Sequence, residues 1–178
     1  MADTKKIIIV STDFGTEQAE IVQPADKLRA LGHDVIVATP TGEDVQTLEG
    51  DRDPASVVPT DVRLSEAVGP FDVVVLPGGT LNSDAARMDE EVRNLVKQQA
   101  DEGRAVAAIC HAPWVLIESG VADGKTMTGY DSVRTDLRNA GATVVDESAK
   151  VCTANGWTLI TSRNPRDLDD FIRAIDGL

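Results

Sequence analysis

The sequence predicts an α/β fold in which a mostly parallel sheet is covered by helices on both faces. Short apolar runs, typical of strands that are buried on both faces, alternate with longer segments whose apolar residues recur every three or four positions. Glycines follow most of these longer segments, as expected at the C-terminal ends of helices. With 178 residues, the chain fits a single domain spanning 1–178.

The first half of the chain contains three predicted core strands, at residues 7–10, 35–38 and 71–76. Helices are predicted at 17–31 and 89–102. Pro24 lies inside the first helix and should kink it or delay its regular start. Residues 40–59 form a polar segment without a clear period, interpreted as a short hairpin or an edge flap. This segment is a candidate contact with a partner subunit.

The second half continues the alternation. Strands are predicted at 105–109 and 125–128, helices at 111–119 and 132–139, and an extended piece at 144–145. Asn155-Gly156 is a strong hairpin turn between strands at 150–153 and 158–161. Asn164-Pro165 begins a last helix, whose predicted buried face comprises Leu168, Phe171, Ile172 and Ile175.

The charge balance is strongly acidic, with 30 acidic against 17 basic residues and a formal net charge of −13. Such a surface repels nucleic acid and anionic membranes. Asp outnumbers Glu by 20 to 10 and Arg outnumbers Lys by 11 to 6. This pattern is typical of adaptation to high salt, although many acidic proteins come from ordinary cytosol, so both interpretations stay open.

The N-terminus lacks a basic segment followed by a long apolar one, and no stretch approaches about 18 consecutive apolar residues. We therefore expect a cytoplasmic protein without membrane contact. Two cysteines and two histidines give neither a disulfide framework nor metal-ligand spacing, and we expect no metal and no cofactor. His33 is predicted in a surface loop, and Cys152 as a packed residue of a strand.

Cys110 is the candidate nucleophile. The apolar run 105–109 stops at this residue, and the following residues resemble the first turn of a helix. Free backbone N–H groups and the peptide dipoles at a helix N-terminus favour a thiolate over a thiol. The alternative is a buried core cysteine at the end of a strand.

Two further segments are predicted at the same edge of the sheet, where ligands of open α/β folds collect. Glu17 and Glu20 follow the first strand, and Gly78-Gly79 follows the third. Without a ligand, the two glutamates would be a solvated helix face and the two glycines a tight turn. The coincidence of these segments with Cys110 favours a site.

These segments also carry a family resemblance. Residues 15–24, 76–79, 108–113, 137–141 and 161–165 resemble, in order and over nearly the whole chain, the PfpI family of the ThiJ/PfpI superfamily. The resemblance implies a flavodoxin-like three-layer sandwich, shared with class I glutamine amidotransferases, in which the nucleophile lies at a strand-to-helix elbow. It also implies a homo-oligomer, either a dimer or a hexamer.

The resemblance makes Cys110 the elbow nucleophile and Glu20 its acidic neighbour. Glu20 is preferred to Glu17 because it lies four residues before Pro24, as in the family pattern. Glu17 is a candidate substrate-binding residue. An ionised carboxylate beside a cysteine raises the pKa of the thiol. Glu20 is therefore expected to be protonated and to titrate together with Cys110 as a coupled pair.

Four other positions complete the predicted site. The backbone N–H groups of Gly79, in the Gly78-Gly79 loop, and His111 are the expected oxyanion donors. The resemblance also implies His111 as the base, although adjacent side chains at such a turn usually point apart. Asp84 is the available third acid, expected to act in a neighbouring subunit's site. Trp114 is expected either to line the mouth of the pocket or to pack between subunits.

The family's activities leave several functions open. The preferred one is a cysteine-dependent enzyme of glyoxalase or deglycase type, which converts small dicarbonyls or glycated adducts in stress protection. An aldehyde is more electrophilic than an amide and therefore demands less of an incomplete triad. The alternatives are an intracellular cysteine peptidase acting on peptides and a non-catalytic stress-response chaperone or redox sensor.

Overall fold

A computed structural model describes residues 3–178, which form an α/β structure with twelve strands and six α-helices. The strands are β1 (Lys6–Val10), β2 (Phe14–Glu17), β3 (Asp34–Thr39), β4 (Val45–Glu49), β5 (Asp53–Val58), β6 (Val62–Arg63), β7 (Val73–Leu76), β8 (Ala105–Ile109), β9 (Thr126–Met127), β10 (Thr143–Val144), β11 (Lys150–Cys152) and β12 (Thr158–Ser162). The helices are α1 (Gln18–Ala30), α2 (Thr80–Met88), α3 (Glu90–Asp101), α4 (Pro113–Glu118), α5 (Arg134–Asn139) and α6 (Leu168–Asp176).

The central sheet has seven strands in the order β11-β12-β8-β7-β1-β3-β6. All neighbouring pairs are parallel except β11 with β12. Strand β1 lies between β7 and β3, and its Ile7, Ile8 and Ile9 are completely buried because helices cover both faces. The predicted flavodoxin-like sandwich, with a mostly parallel sheet between two helical layers, is confirmed.

Alternate residues of each central strand pack into two separate cores. Ile8 of β1 packs in the core that includes Val92 and Val96 of α3. Its neighbours Ile7 and Ile9 pack in the core that includes Ile21 of α1. Burying one such side chain stabilises the fold by about 1.5–3 kcal/mol, so an apolar run without polar interruptions is what this three-layer arrangement requires.

A second sheet forms beside the first, in the order β2-β4-β5. Strands β4 and β5 are antiparallel, which confirms the hairpin predicted in the polar segment. Strand β2 and helix α2 were not predicted. Helix α1 continues without interruption through the buried Pro24, so the expected delay of its start does not occur.

Two other expectations change. Helix α4 begins at Pro113 rather than at residue 111, so Cys110 and His111 precede it in a tight turn. His33 is not a surface residue: it is 7% exposed, its Nδ1 accepts a hydrogen bond from the Lys5 backbone N–H, and its Nε2 lies 2.9 Å from Asp176 Oδ1. Cys152 is buried in β11, as expected.

Within residues 3–178, the α-helices are all too short or too polar to cross a bilayer. In the same part of the chain, no cluster of three or more His, Cys, Asp or Glu side chains is arranged to hold a metal ion.

Candidate active site

Cys110 lies immediately after β8 in a strained backbone conformation. Its φ is 65°, in the left-handed region that a residue with a Cβ enters at a cost of about 1–2 kcal/mol. The conformation is fixed from both sides, because the Cys110 N–H donates to Ser162 O at 3.0 Å and its carbonyl accepts from Tyr130 N at 2.8 Å. The predicted strand-to-helix elbow is therefore present, with Cys110 at its apex.

The charge state of Cys110 differs from the expectation. Burial raises the pKa of the thiol, the charge of the nearby Glu20 raises it further, and the N–H groups of Gly79 and His111 only partly oppose this. The helix that was expected to stabilise a thiolate has six residues and starts three positions later. The resting form favoured by this environment is a thiol, which needs a base before it can attack.

His111 is placed to be that base. Its Nδ1 lies 3.2 Å from Cys110 Sγ, so the expectation that the two adjacent side chains point apart is wrong. The left-handed conformation of Cys110 turns the chain enough to bring both side chains to the same side. Burial lowers the pKa of His111, which keeps the imidazole neutral at neutral pH.

The far side of the imidazole is also bound. His111 Nε2 lies 3.2 Å from Thr80 Oγ1 and 3.3 Å from Ser132 Oγ. The ring stacks on Tyr130 with centroids 4.4 Å apart. Neither Thr80, Ser132 nor Tyr130 was predicted, and only the position of Thr80 directly after the two glycines could have drawn attention to it.

Asp51 extends this chain of contacts away from His111. Its Oδ1 accepts the Thr80 backbone N–H at 2.7 Å, and its Oδ2 accepts the Thr80 hydroxyl at 2.5 Å. Asp51 lies in the turn between β4 and β5 with φ 59°. Asp51 was not predicted as a site residue, since only the fold brings a turn of the second sheet beside the glycine loop.

Glu20 is fully buried in the first turn of α1. Its Oε2 accepts the Gly78 N–H at 2.8 Å, whereas Oε1 has no hydrogen-bond partner among the described residues. Burial raises the pKa of this carboxyl to about 8. A neutral carboxylic acid next to Cys110 is therefore favoured at neutral pH, as expected from the repulsion between two negative charges.

The Gly78-Gly79 loop fits only glycine. A Cβ at Gly78 would lie 2.2 Å from Glu20 Oε2 and 2.7 Å from Cys110 Cβ, and one at Gly79 would lie 2.4 Å from Gly15 O. The N–H groups of Gly79 and His111 both interact with the Cys110 thiol. The two expected oxyanion donors thus converge on the sulfur.

The remaining predicted residues have different surroundings. Glu17 ends β2, and its Oε2 accepts the Gly50 N–H at 3.0 Å, so its carboxyl holds the β4–β5 turn. Asp84 lies on α2 with its side chain 64% exposed and pairs with Arg87 at 3.3 Å. Within one chain it does not take part in the Cys110–His111 contacts, and its action in a neighbouring subunit's site stays a prediction.

Trp114 borders His111 from the first turn of α4. The two rings meet edge to face at 5.4 Å. The indole N–H donates to Asp136 Oδ2 at 2.9 Å, and the Arg87 guanidinium lies 4.9 Å from the ring centre. Trp114 therefore borders His111 within one chain, and both expected placements, at the mouth of the pocket and between subunits, stay predictions.

Comparisons with known proteins identify the family of this chain. The model of the DJ-1/PfpI family matches residues 5–176. The chain belongs to the DJ-1/PfpI family. Among DJ-1/PfpI proteins, it is 35% identical to General stress protein 18 of Bacillus subtilis over 95% of this chain and 94% of that protein. It is also 35% identical to Protein/nucleic acid deglycase 2 of Escherichia coli, over 96% and 95% of the two chains.

A solved structure of the DJ-1/PfpI family is similarly close. Drosophila melanogaster DJ-1beta superimposes with a TM-score of 0.85 and is 36% identical, with 98% of this chain and 89% of that chain covered. The relatives and the fold therefore place the chain in one family across nearly its full length.

Proposed function

We propose that this protein is a cysteine-dependent enzyme that converts small dicarbonyls, or the adducts they form with amines, into hydroxy acids. The observation that carries the proposal is the 3.2 Å contact between Cys110 Sγ and His111 Nδ1. This contact joins a thiol to a neutral base, beside a carboxylic acid that burial keeps protonated. The deglycase name of one relative supports the same substrate class.

The proposed reaction with methylglyoxal begins when Cys110 Sγ attacks the aldehyde carbon and its proton passes to His111 Nδ1. The new C–S bond gives a hemithioacetal, whose oxygen takes up a proton. The proton on that carbon then moves to the neighbouring carbonyl carbon, and the hydroxyl proton moves to the neighbouring oxygen, which gives a lactate thioester. Water then cleaves the thioester, so that the net change is the addition of one water molecule and Cys110 is regenerated.

Glu20 and the backbone donors support these steps. Oε1 of Glu20, which has no hydrogen-bond partner within residues 3–178, is the natural donor or acceptor for the proton that moves between the two carbons. The N–H groups of Gly79 and His111 stabilise the developing oxyanion, and one such donor is commonly worth about 3 kcal/mol. A dicarbonyl needs no protonated amine leaving group, so it suits this site better than the amide of a peptide.

Lactate formation from methylglyoxal tests the proposal. We expect wild type and Cys152→Ala, in which the second cysteine is removed, to form lactate at similar rates. Cys110→Ala should reduce the rate by at least a thousandfold, because the substitution removes the proposed nucleophile. Absence of lactate with wild type, or undiminished lactate with Cys110→Ala, would contradict the proposed function, and cleavage of peptide amides by wild type would favour a peptidase.

A further inference from the structure

The contacts of Thr80 fix the direction in which its hydroxyl donates. Thr80 Oγ1 lies between Asp51 Oδ2, at 2.5 Å, and His111 Nε2, at 3.2 Å. A hydroxyl has one proton to donate, and an ionised carboxylate can only accept. The Thr80 proton therefore points to Asp51, which leaves a lone pair of Oγ1 facing His111.

We propose that Asp51, acting through Thr80, holds His111 in the tautomer that carries its proton on Nε2. In that tautomer Nε2–H donates to Thr80 Oγ1, and the lone pair of Nδ1 faces Cys110 Sγ. Asp51 is then a positioning residue that makes His111 a base toward the thiol. The catalytic consequence rests on the function proposed above, whereas the tautomer is a property of the resting protein.

The second neighbour of Nε2 is compatible with this assignment. Ser132 Oγ lies 3.3 Å from Nε2, and a hydroxyl oxygen accepts a hydrogen bond as readily as it donates one. The Asp51–Thr80 pair has the shorter contacts and a second anchor, the Thr80 backbone N–H. The Asp51 carboxylate therefore sets the direction of the hydrogen bonds from His111 through Thr80, and the Ser132 hydroxyl acts as a second acceptor for Nε2–H.

The turn that carries Asp51 is built to hold it there. Asp51 has a left-handed backbone conformation, and the preceding Gly50 N–H is bound by the Glu17 carboxyl at 3.0 Å. Glu17 also leads directly into α1, the helix that carries Glu20. The turn, the base and the acid are thus connected through a few short contacts.

The proton balance of the proposed step is simple. As Sγ attacks, the S–H bond breaks and an N–H bond forms at Nδ1, so His111 becomes an imidazolium with a proton on each nitrogen. The Nε2–H continues to donate to Thr80, and the nearby Asp51 carboxylate stabilises the new positive charge. This is the role that an orienting acid commonly plays toward a catalytic histidine.

Asp51→Asn tests the inference with little change in shape. Its Oδ1 can still accept the Thr80 N–H, but an amide nitrogen would then face Thr80 Oγ1 and donate to it. The Thr80 hydroxyl would have to donate to His111 Nε2, which moves the imidazole proton to Nδ1. The substitution is therefore expected to reverse the tautomer of His111.

Nitrogen-15 NMR of histidine-labelled protein measures the tautomer directly, because the chain has two histidines. His33 serves as an internal reference, since its Nδ1 accepts the Lys5 N–H and its proton therefore lies on Nε2. We expect wild type and Asp53→Asn, a control on β5, to show His111 protonated on Nε2. We expect Asp51→Asn to show it protonated on Nδ1, with unchanged His33 signals.

A second pair of variants separates positioning from general damage. Thr80→Ser keeps the hydroxyl and should keep the wild-type tautomer, whereas Thr80→Val removes the acceptor and should give a mixture. An Nδ1–H tautomer in wild type, or an unchanged tautomer in Asp51→Asn, would overturn the inference. Because no substrate is present, the result is independent of lactate formation: a correct tautomer without lactate refutes the proposed function alone.

If the proposed function holds, activity provides a further readout. Asp51→Asn should lower kcat for methylglyoxal by tenfold or more with little change in KM, since the substitution affects proton transfer and not binding. An unchanged kcat would overturn the positioning role.

Discussion

At the scale of single residues, the reactivity of Cys110 depends on two neutral neighbours. His111 is kept neutral by a pKa that burial lowers, and Glu20 by a pKa that burial raises to about 8. Over part of the pH range near neutrality, each group is therefore neutral where a solvent-exposed group of its kind would be charged. Because Glu20 and Cys110 perturb each other's pKa, the two titrate as a pair.

The pKa of Glu20 predicts a pH dependence of stability. Between its ordinary value of 4.5 and about 8, the folded protein binds a proton that the unfolded chain has lost. The free energy of unfolding therefore falls as pH rises through this window. Glu20→Gln removes this effect. Between pH 4.5 and neutral pH, we expect the unfolding free energy of the variant to rise relative to that of wild type by about 2–5 kcal/mol.

Urea unfolding at pH 4.5, 6 and 8 measures this difference. Glu118→Gln, an exposed carboxyl on α4, is the matched control and should follow wild type at every pH. If Glu20→Gln and wild type lose stability in parallel as pH rises, Glu20 is not held protonated by the fold.

The sequence was sufficient to predict Cys110, Glu20 and Gly79 as one cluster, because each follows a recognisable strand or motif. The orientation of His111 was not predictable, since it depends on the left-handed conformation of the preceding residue. Asp51 was missed for another reason. Its partner Thr80 is 29 positions away, and only the packing of two sheets brings them together.

At the scale of elements, the glycine loop between β7 and α2 is the part of the scaffold that tolerates least change. The backbone of Gly79 passes so close to Gly15 and Glu17 that no side chain fits. The loop also presents the Gly78 N–H to Glu20 and the Gly79 N–H to Cys110. A displacement here would therefore disturb the acid and the oxyanion donors together.

Two alanine substitutions separate the effect of contact from that of backbone conformation. Gly79 and Gly32 have nearly equal φ values, 90° and 93°, but a Cβ at Gly32 meets nothing within 4 Å. Gly32→Ala should cost about 1–2 kcal/mol of unfolding free energy, from left-handed strain alone. Gly79→Ala should cost at least about 2 kcal/mol more, as expected of overpacking against backbone, and should abolish lactate formation. Equal costs in urea unfolding would contradict the close packing of this loop.

Prediction from sequence succeeded for the elements with the clearest pattern. Strands β1, β3 and β8 each contain an apolar run of four or five residues, because helices cover both faces of the central sheet. Strand β2 has the sequence Phe-Gly-Thr-Glu, which lacks such a run because it pairs in the smaller sheet. Helix α2 buries the polar Asn82 and Ser83 together with Ala86, so its buried face shows no apolar pattern in the sequence.

At the scale of the whole molecule, the site draws its parts from the carboxyl ends of strands of the central sheet and from the β2-β4-β5 sheet. A cavity of about 480 Å³ lies at the other end of these strands, lined in part by Lys5, Asp72 and Arg104. A larger cavity of about 700 Å³ is lined by residues of α1, β3 and β5, and Cys110 lines neither of these two cavities. The parallel sheet locates the chemistry, because the loops that follow its strands converge at one edge.

Composition describes the surface of the molecule rather than its fold. The net charge of −13 favours solubility and disfavours contact with nucleic acid. Adaptation to high salt and assembly into a homo-oligomer stay predictions, the first from composition and the second from the family resemblance. Neither is required for the contacts between Cys110 and His111, which form within one chain.

The most direct measurement of the central claim, that His111 and Glu20 together activate Cys110, is the pH dependence of Cys110 alkylation. Iodoacetamide reacts with both cysteines, and peptide mass spectrometry follows each one separately. For Cys110 we predict a bell-shaped rate, rising as His111 loses its proton below pH 6.5 and falling as Glu20 loses its proton near pH 8. His111→Ala should remove the rise. A rate that increases steadily through pH 9, and equally in wild type and His111→Ala, would contradict the account.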